Sequence, residues 1–137
     1  MPDDPQPLLV ERRVETGDSV HTDRVTADGR RWTCGNVDAR FEHGKWSFGT
    51  REPGWEPAGT LMPEQLSALR DTLASSGFFE TEPEYHPEAP VIHASYEIWT
   101  AELDGRRHTT TLYGRGTTKV PALERLGEAL TAATPPT

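Results

Sequence analysis

The chain is nearly without cysteine. Cys34 stands alone, so neither an intrachain disulfide nor a cysteine zinc site can form. Long apolar runs are missing too; none approaches the roughly 18 residues that cross a bilayer as a helix. The opening Met1-Pro2-Asp3-Asp4-Pro5 lacks the basic stretch and the continuous apolar stretch of a secretory signal. The expected address is therefore the cytoplasm, with no membrane partner. Positive charge is scarce: 14 Lys and Arg face 22 Asp and Glu, a net charge of −8. Nucleic acid is not an expected partner, because affinity for phosphate backbones comes mostly from Lys and Arg. An anionic membrane surface is disfavoured on the same ground.

Catalytic signatures are absent as well. The histidines, His21, His43, His86, His93 and His108, form no HExxH pair. The nearest metal-like set is His86, Glu88 and His93, interrupted by prolines, so no metal or cofactor is expected. There is no Gly-x-Ser-x-Gly elbow. Ser95 and His93 share a strand face but would stand about 7 Å apart by strand rise, too far for a direct hydrogen bond. Gly114 to Lys119 lies between a strand and a helix, the setting of a phosphate loop, without the GxxxxGK[ST] spacing. Arg115 and Lys119 could grip an anion there; an ordinary turn is the plainer reading.

What remains is a chain of 137 residues, the size of one domain. Twelve Gly and twelve Pro punctuate short apolar runs. We read residues 1–137 as a single α+β domain, with 1–7 and 134–137 frayed. Leu8 to Glu15 alternates, placing Leu8, Val10 and Val14 on one face. Val20 to Ala27 is rich in β-branched residues. Asp28-Gly29 is a strong hairpin turn. Arg31 to Cys34 is a third strand, broken by Gly35-Asn36. Val37, Ala39 and Phe41 form the apolar face of a fourth, and Trp46 and Phe48 mark a fifth. Trp32 and Trp46 are expected in the core. Residues 49–60, with Pro53, Gly54, Pro57 and Gly59, read as a loop around Trp55.

A helix follows from Pro63, with Leu66, Leu69 and Leu73 as its buried stripe and Gly77 past its end. Residues 80–90 are acidic and Pro-rich, hence a loop carrying Tyr85 and His86. Val91 to Leu103 and Arg106 to Tyr113 form a hairpin about Asp104-Gly105. That loop length pairs Glu102 with Arg107, Thr100 with Thr109 and Ile98 with Thr111. A last helix runs from Pro121 to about Ala133 on Leu123, Leu126 and Leu130, weakened by Gly127 by about 1 kcal/mol relative to Ala. The architecture predicted is an antiparallel β-meander plus β-hairpin sheet with two α-helices on one face.

The second half shows a recurring order of features. Pro63-Glu64-Gln65-Leu66 and Leu69 precede Gly77-Phe78-Phe79. Tyr85 in its acidic loop comes next, then Tyr96-Glu97-Ile98 and Asp104-Gly105-Arg106-Arg107-His108-Thr109. Val120-Pro121-Ala122-Leu123-Glu124-Arg125-Leu126 closes the series. Over residues 60–131 this resembles the emfourin family, small bacterial inhibitors of protealysin-type metallopeptidases, and related bacterial domains of the same layout. The resemblance implies a helix–hairpin–helix fold and a metallopeptidase partner. It contains no active-site signature.

Two functional expectations follow. The first is a noncatalytic protein-binding module whose contact residues are Trp55, Tyr85, His86 and Trp99, since loop aromatics suit binding hot spots. The second is a small cofactor-independent enzyme acting on a small hydrophobic substrate in a sheet–helix pocket, with Glu97, His93 or His108 as the candidate acid–base group. Glu97 shares a strand face with Trp99, Leu103 and Leu112, where desolvation would alter its chemistry. The plainer reading pairs it with a nearby Arg or His.

Overall fold

The computed structural model describes residues 7–16, 19–87, 95–114 and 119–134, with the backbone alone for 37–40, 48 and 50–53. Seven strands form one sheet: β1 (Leu8–Thr16), β2 (Ser19–Thr26), β3 (Arg30–Glu42), β4 (Lys45–Thr60), β5 (Glu84–Tyr85), β6 (Tyr96–Leu103) and β7 (Arg106–Tyr113). Their order is β4-β3-β2-β1-β6-β7-β5. Every pairing is antiparallel except the short β5–β7 edge. Helices α1 (Pro63–Ser75) and α2 (Pro121–Ala132) lie on one sheet face, so the α+β architecture read from the sequence is the one the chain adopts.

The two helices follow their leucines. Leu69 and Leu73 of α1, and Leu123, Leu126 and Leu130 of α2, are buried against Val10, Val25, Trp99, Ala101 and Leu112 of the sheet. Pro at the first position suits both helix starts, where the missing N–H has no partner to lose. Gln65 accepts from the Met62 N–H (2.9 Å), closing the start of α1 without a Ser or Thr cap. Gly77 takes the left-handed conformation (φ 86°) that ends α1. At the end of α2, Arg31 donates to the Leu130 and Ala133 carbonyls (3.0 and 2.8 Å). These are the acceptors a helix leaves unsatisfied, at its negative pole.

The β6–β7 register is the expected one, with Glu102 opposite Arg107, Thr100 opposite Thr109 and Ile98 opposite Thr111. The helices cover its Trp99 face. Among the described residues no helix covers the opposite face, which carries Tyr96, Ile98, Trp32 and Trp55.

The first half departs from expectation in several places. A register shift between Leu8 and Val10 lets Leu9 and Val10 both enter the core, so strict alternation fails there. Gly35-Asn36 does not end a strand. It sits at a bulge within one long β3, where Asn36 Oδ1 accepts from the Val20 N–H (2.8 Å). Residues 49–60 are not a loop but the inner part of β4. Gly35 pairs with Gly54 and Val37 with Thr50, so the three residues 51–53 stand against the single Asn36 at that bulge, an excess of two. The prolines are tolerated because β4 is an edge strand, where one side needs no ladder donors. Phe78–Glu80 is a 3-10 turn that leads into the acidic segment, and within 80–90, where a plain loop was expected, Glu84–Tyr85 is a short strand. The upstream part of the predicted 91–103 strand lies outside the described residues; β6 begins at Tyr96.

Candidate functional site

Two places combine geometry with exposed or unusual chemistry. The first is the outer half of the β3–β4 ribbon. β2 accompanies β3 only as far as Gly35, opposite His21. Beyond it, among the described residues, β3 and β4 pair with each other alone, from Val37 to the turn at His43-Gly44. Six residues of strand reach about 20 Å at 3.3 Å per residue. His43 and Gly44 both have positive φ (52° and 75°), as a tight hairpin turn of the primed type requires. Just inside the turn, Phe41 faces Trp46 across the strands with ring centroids 5.2 Å apart. The two rings are 60% and 63% exposed. Trp46 thus stands at the surface, not in the core as its strand position suggested. Among the described residues no third strand pairs with the ribbon there.

The second place is a cleft of about 750 Å³ between α2 and the sheet. Glu97 and Arg12 line its floor. Arg12 Nε and Nη2 both donate to Glu97 Oε1 (2.6 and 2.5 Å). The register explains the meeting: Arg12 lies opposite Trp99 and Val14 opposite Glu97, so all four project from the helix-covered face. Leu112, Val120 and Leu123 form an apolar wall, and Lys119, Glu124 and Glu128 bring further charge.

The residues singled out from the sequence are scattered between and around these places. Glu97 is buried in the cleft, but as half of an ion pair. His93 lies outside the described residues. His108 is elsewhere on the same face, and it does not line the cleft. The Thr81 hydroxyl donates to the Phe78 carbonyl (2.6 Å), which leaves it to accept from His108 Nε2 (2.9 Å). The His108 ring also meets Phe78 edge-on at 5.3 Å. Its role is to fasten the 3-10 turn to β7. Of these three alternative acid–base candidates, Glu97 is the one that lines the cleft among the described residues.

Trp55 is half-buried on β4, with the Arg24 guanidinium 4.4 Å above its ring. It is not the tip of an exposed loop, because the segment around it is strand. Arg24 is held in turn by Glu11 Oε1 (2.5 Å from Nη2). Trp99 is 1% exposed and belongs to the core; no partner can touch it without unfolding the sheet–helix interface. Its Nε1 is buried with no hydrogen-bond partner among the described residues. Tyr85 packs against the core and accepts from the Glu82 N–H (2.9 Å). His86 is exposed, stacked on Tyr113 at 4.5 Å, with Glu84 3.2 Å from Nε2. Of the four predicted contact residues, His86 alone is well exposed. Of the metal-like set His86, Glu88 and His93, the last two lie outside the described residues, and among those described no three ligand-type side chains converge. Arg115 lies outside them too, whereas Lys119 lines the cleft.

Sequence reasoning missed Phe41 and Trp46 as surface residues. Alternation marks them correctly as one face of a hairpin. Which elements cover that face is decided by where β2 stops pairing, and that is a long-range fact.

Among the described residues no helix is long and apolar enough to cross a membrane. Compared with protein-family models and with curated proteins, the sequence matches none of them.

Proposed function

We propose that this chain is a noncatalytic protein-binding module, with the tip of the β3–β4 ribbon as its contact surface. The observation that carries the reading is the Phe41–Trp46 pair, more than half exposed at the end of a two-stranded projection. Large aromatics with few rotatable bonds are favoured at interface hot spots, because they bury area at low entropic cost. The tight turn orders the pair before any partner arrives, which reduces the cost of binding. The emfourin resemblance supplies the finer proposal, a protealysin-type metallopeptidase as the partner. That resemblance spans residues 60–131 and the ribbon lies before it, so partner class and contact surface rest on separate arguments. The cytoplasm is the proposed address, in keeping with a lone cysteine.

The test is inhibition of a protealysin-type peptidase by the wild-type chain and by the Phe41→Ser/Trp46→Ser double variant. Loss of inhibition in a folded double variant supports both parts. Equal inhibition by the two proteins removes the ribbon tip as the surface. No inhibition by either removes the peptidase.

One observation favours a second reading: Glu97 lines a cleft large enough for a small molecule. An acid–base enzyme built on it is the weaker proposal, because Arg12 already engages the Glu97 carboxylate as an ion pair through Oε1. Turnover abolished by Glu97→Gln would be its signature.

A further inference from the structure

The projecting part of β3 has one open edge. β2 pairs with β3 as far as Gly35, and the Val20 N–H reaches Asn36. From Val37 to Glu42, among the described residues, β3 pairs with β4 alone. Two strands by themselves are a marginal sheet in water, and a third strand is what stabilises them. Native proteins blunt open edges with prolines and with charges. β4 carries Pro53 and Pro57, whereas residues 37–42 contain no proline. They do contain charges, and the order of those charges is informative.

The turn decides which groups point to the open side. A turn of this kind closes with a hydrogen bond between its flanking residues, here Glu42 and Lys45. Bonded and non-bonded pairs then alternate along the ladder. Arg40 and Asp38 therefore bond to β4, and the N–H and C=O groups of Val37, Ala39 and Phe41 face away from it.

The sequence of this edge is complementary to itself. Laid antiparallel about a two-fold axis at Ala39, it sets Val37 opposite the partner's Phe41 and Asp38 opposite the partner's Arg40. Acid meets base twice, apolar meets apolar twice, and the small Ala39 stands on the axis. The outward groups of 37, 39 and 41 meet one another, as an antiparallel ladder requires. Shifting the axis by one residue destroys the match. At Asp38 it opposes two acids; at Arg40 it opposes two bases and sets Asp38 against Glu42. Opposite charges across a strand pair stabilise it and like charges destabilise it. The five residues from Val37 to Phe41 also fit the stretch that β2 leaves open.

We propose that the open edge of β3 pairs with the same edge of a second copy of this chain. The two ribbons become one four-stranded antiparallel sheet, in the order β4-β3-β3-β4. The two-fold axis is perpendicular to that sheet, so the Phe41–Trp46 pairs of both copies lie on one face. The pairing uses the edge and not the ring face, and it does not rest on the proposed peptidase partner.

The experiment follows the full-length chain by sedimentation equilibrium from micromolar to millimolar concentration. The expected result is a reversible monomer–dimer equilibrium. Arg40→Asp sets acid against acid on both sides of the axis and should weaken the dimer at least tenfold. Asp38→Arg/Arg40→Asp exchanges the charges and should restore it. Ala39→Pro removes an N–H on the open side and spares the bonds to β4, so the dimer should be lost with the circular dichroism of the fold unchanged. Trp46→Ser should leave the dimer intact. Four results would overturn the proposal: a monomer at every concentration, a dimer indifferent to Arg40→Asp, no recovery on exchanging the charges, or a dimer lost in folded Trp46→Ser, which would move the contact to the ring face.

Discussion

The centre of the sheet and its outer ribbon are built from the same antiparallel ladder and end in opposite environments. In the centre, β1, β6 and β7 present Val10, Ala101, Trp99 and Leu112 to two helices, and these side chains are buried. In the ribbon, β3 and β4 continue past the last residue of β2 that pairs with β3, and Phe41 and Trp46 remain exposed. Alternating apolar residues do not by themselves make a core; a second layer does. The centre therefore carries stability. The ribbon tip contributes little to it and is open to a partner.

The largest predicted contrast is between truncations in the two regions. Trp99→Ala should cost about 3–5 kcal/mol in denaturant unfolding, as removal of a fully buried aromatic does. A loss below about 1 kcal/mol would mean that the centre is not the stabilising region. Next comes the ion pair. Arg12→Ala should cost about 3 kcal/mol, at the low end for breaking a buried pair, because Arg12 keeps 22% of its side chain exposed while Glu97 keeps 8%. The Arg12→Ala/Glu97→Gln double variant should recover part of that loss, since no unpaired buried charge is then left. Absence of recovery would show that Arg12 acts through packing on Trp99, 5.4 Å away. At the tip, Phe41→Ser and Trp46→Ser should each change stability by less than about 1 kcal/mol, the range of an exposed cross-strand pair. A larger loss would erase the contrast between the regions.

The smallest effect is a matter of pH. The Thr26 hydroxyl, 2.5 Å away, holds the Asp28 carboxyl below its usual pKa of 3.8, with help from Arg30. A carboxylate lowered in the folded state adds stability above its unfolded pKa and loses it as pH falls through the folded value. Stability measured from pH 5 downward should thus decline less steeply in Asp28→Asn than in the wild type. Identical slopes would remove Asp28 from the acid response.

Local features were legible wherever one residue type decides them. Asp104-Gly105 set the β6–β7 register, and the leucines of α1 and α2 identified their buried faces, because turn chemistry and helical period act over a few residues. Pro53 and Pro57 misled for a physical reason. They exclude a central strand and permit an edge strand, and whether β4 is an edge depends on the order of the whole sheet. The fate of Trp46 turned on the same long-range fact. The Arg12–Glu97 pair was half legible: Glu97 on an apolar face calls for a partner, but the partner lies 85 residues away on β1. Gly127 could be seen as a helix weakness from the sequence, and its position on the cleft needed the fold.

The central claim is that the ribbon tip meets a protein partner and the centre does not. The most direct measurement places a photo-cross-linking phenylalanine analogue at position 46 and, separately, at position 107 on the β6–β7 hairpin, in the living source cell. The account predicts one discrete cross-linked protein from position 46 and none from position 107. Cross-linking from position 107 alone, or from neither position, would contradict it.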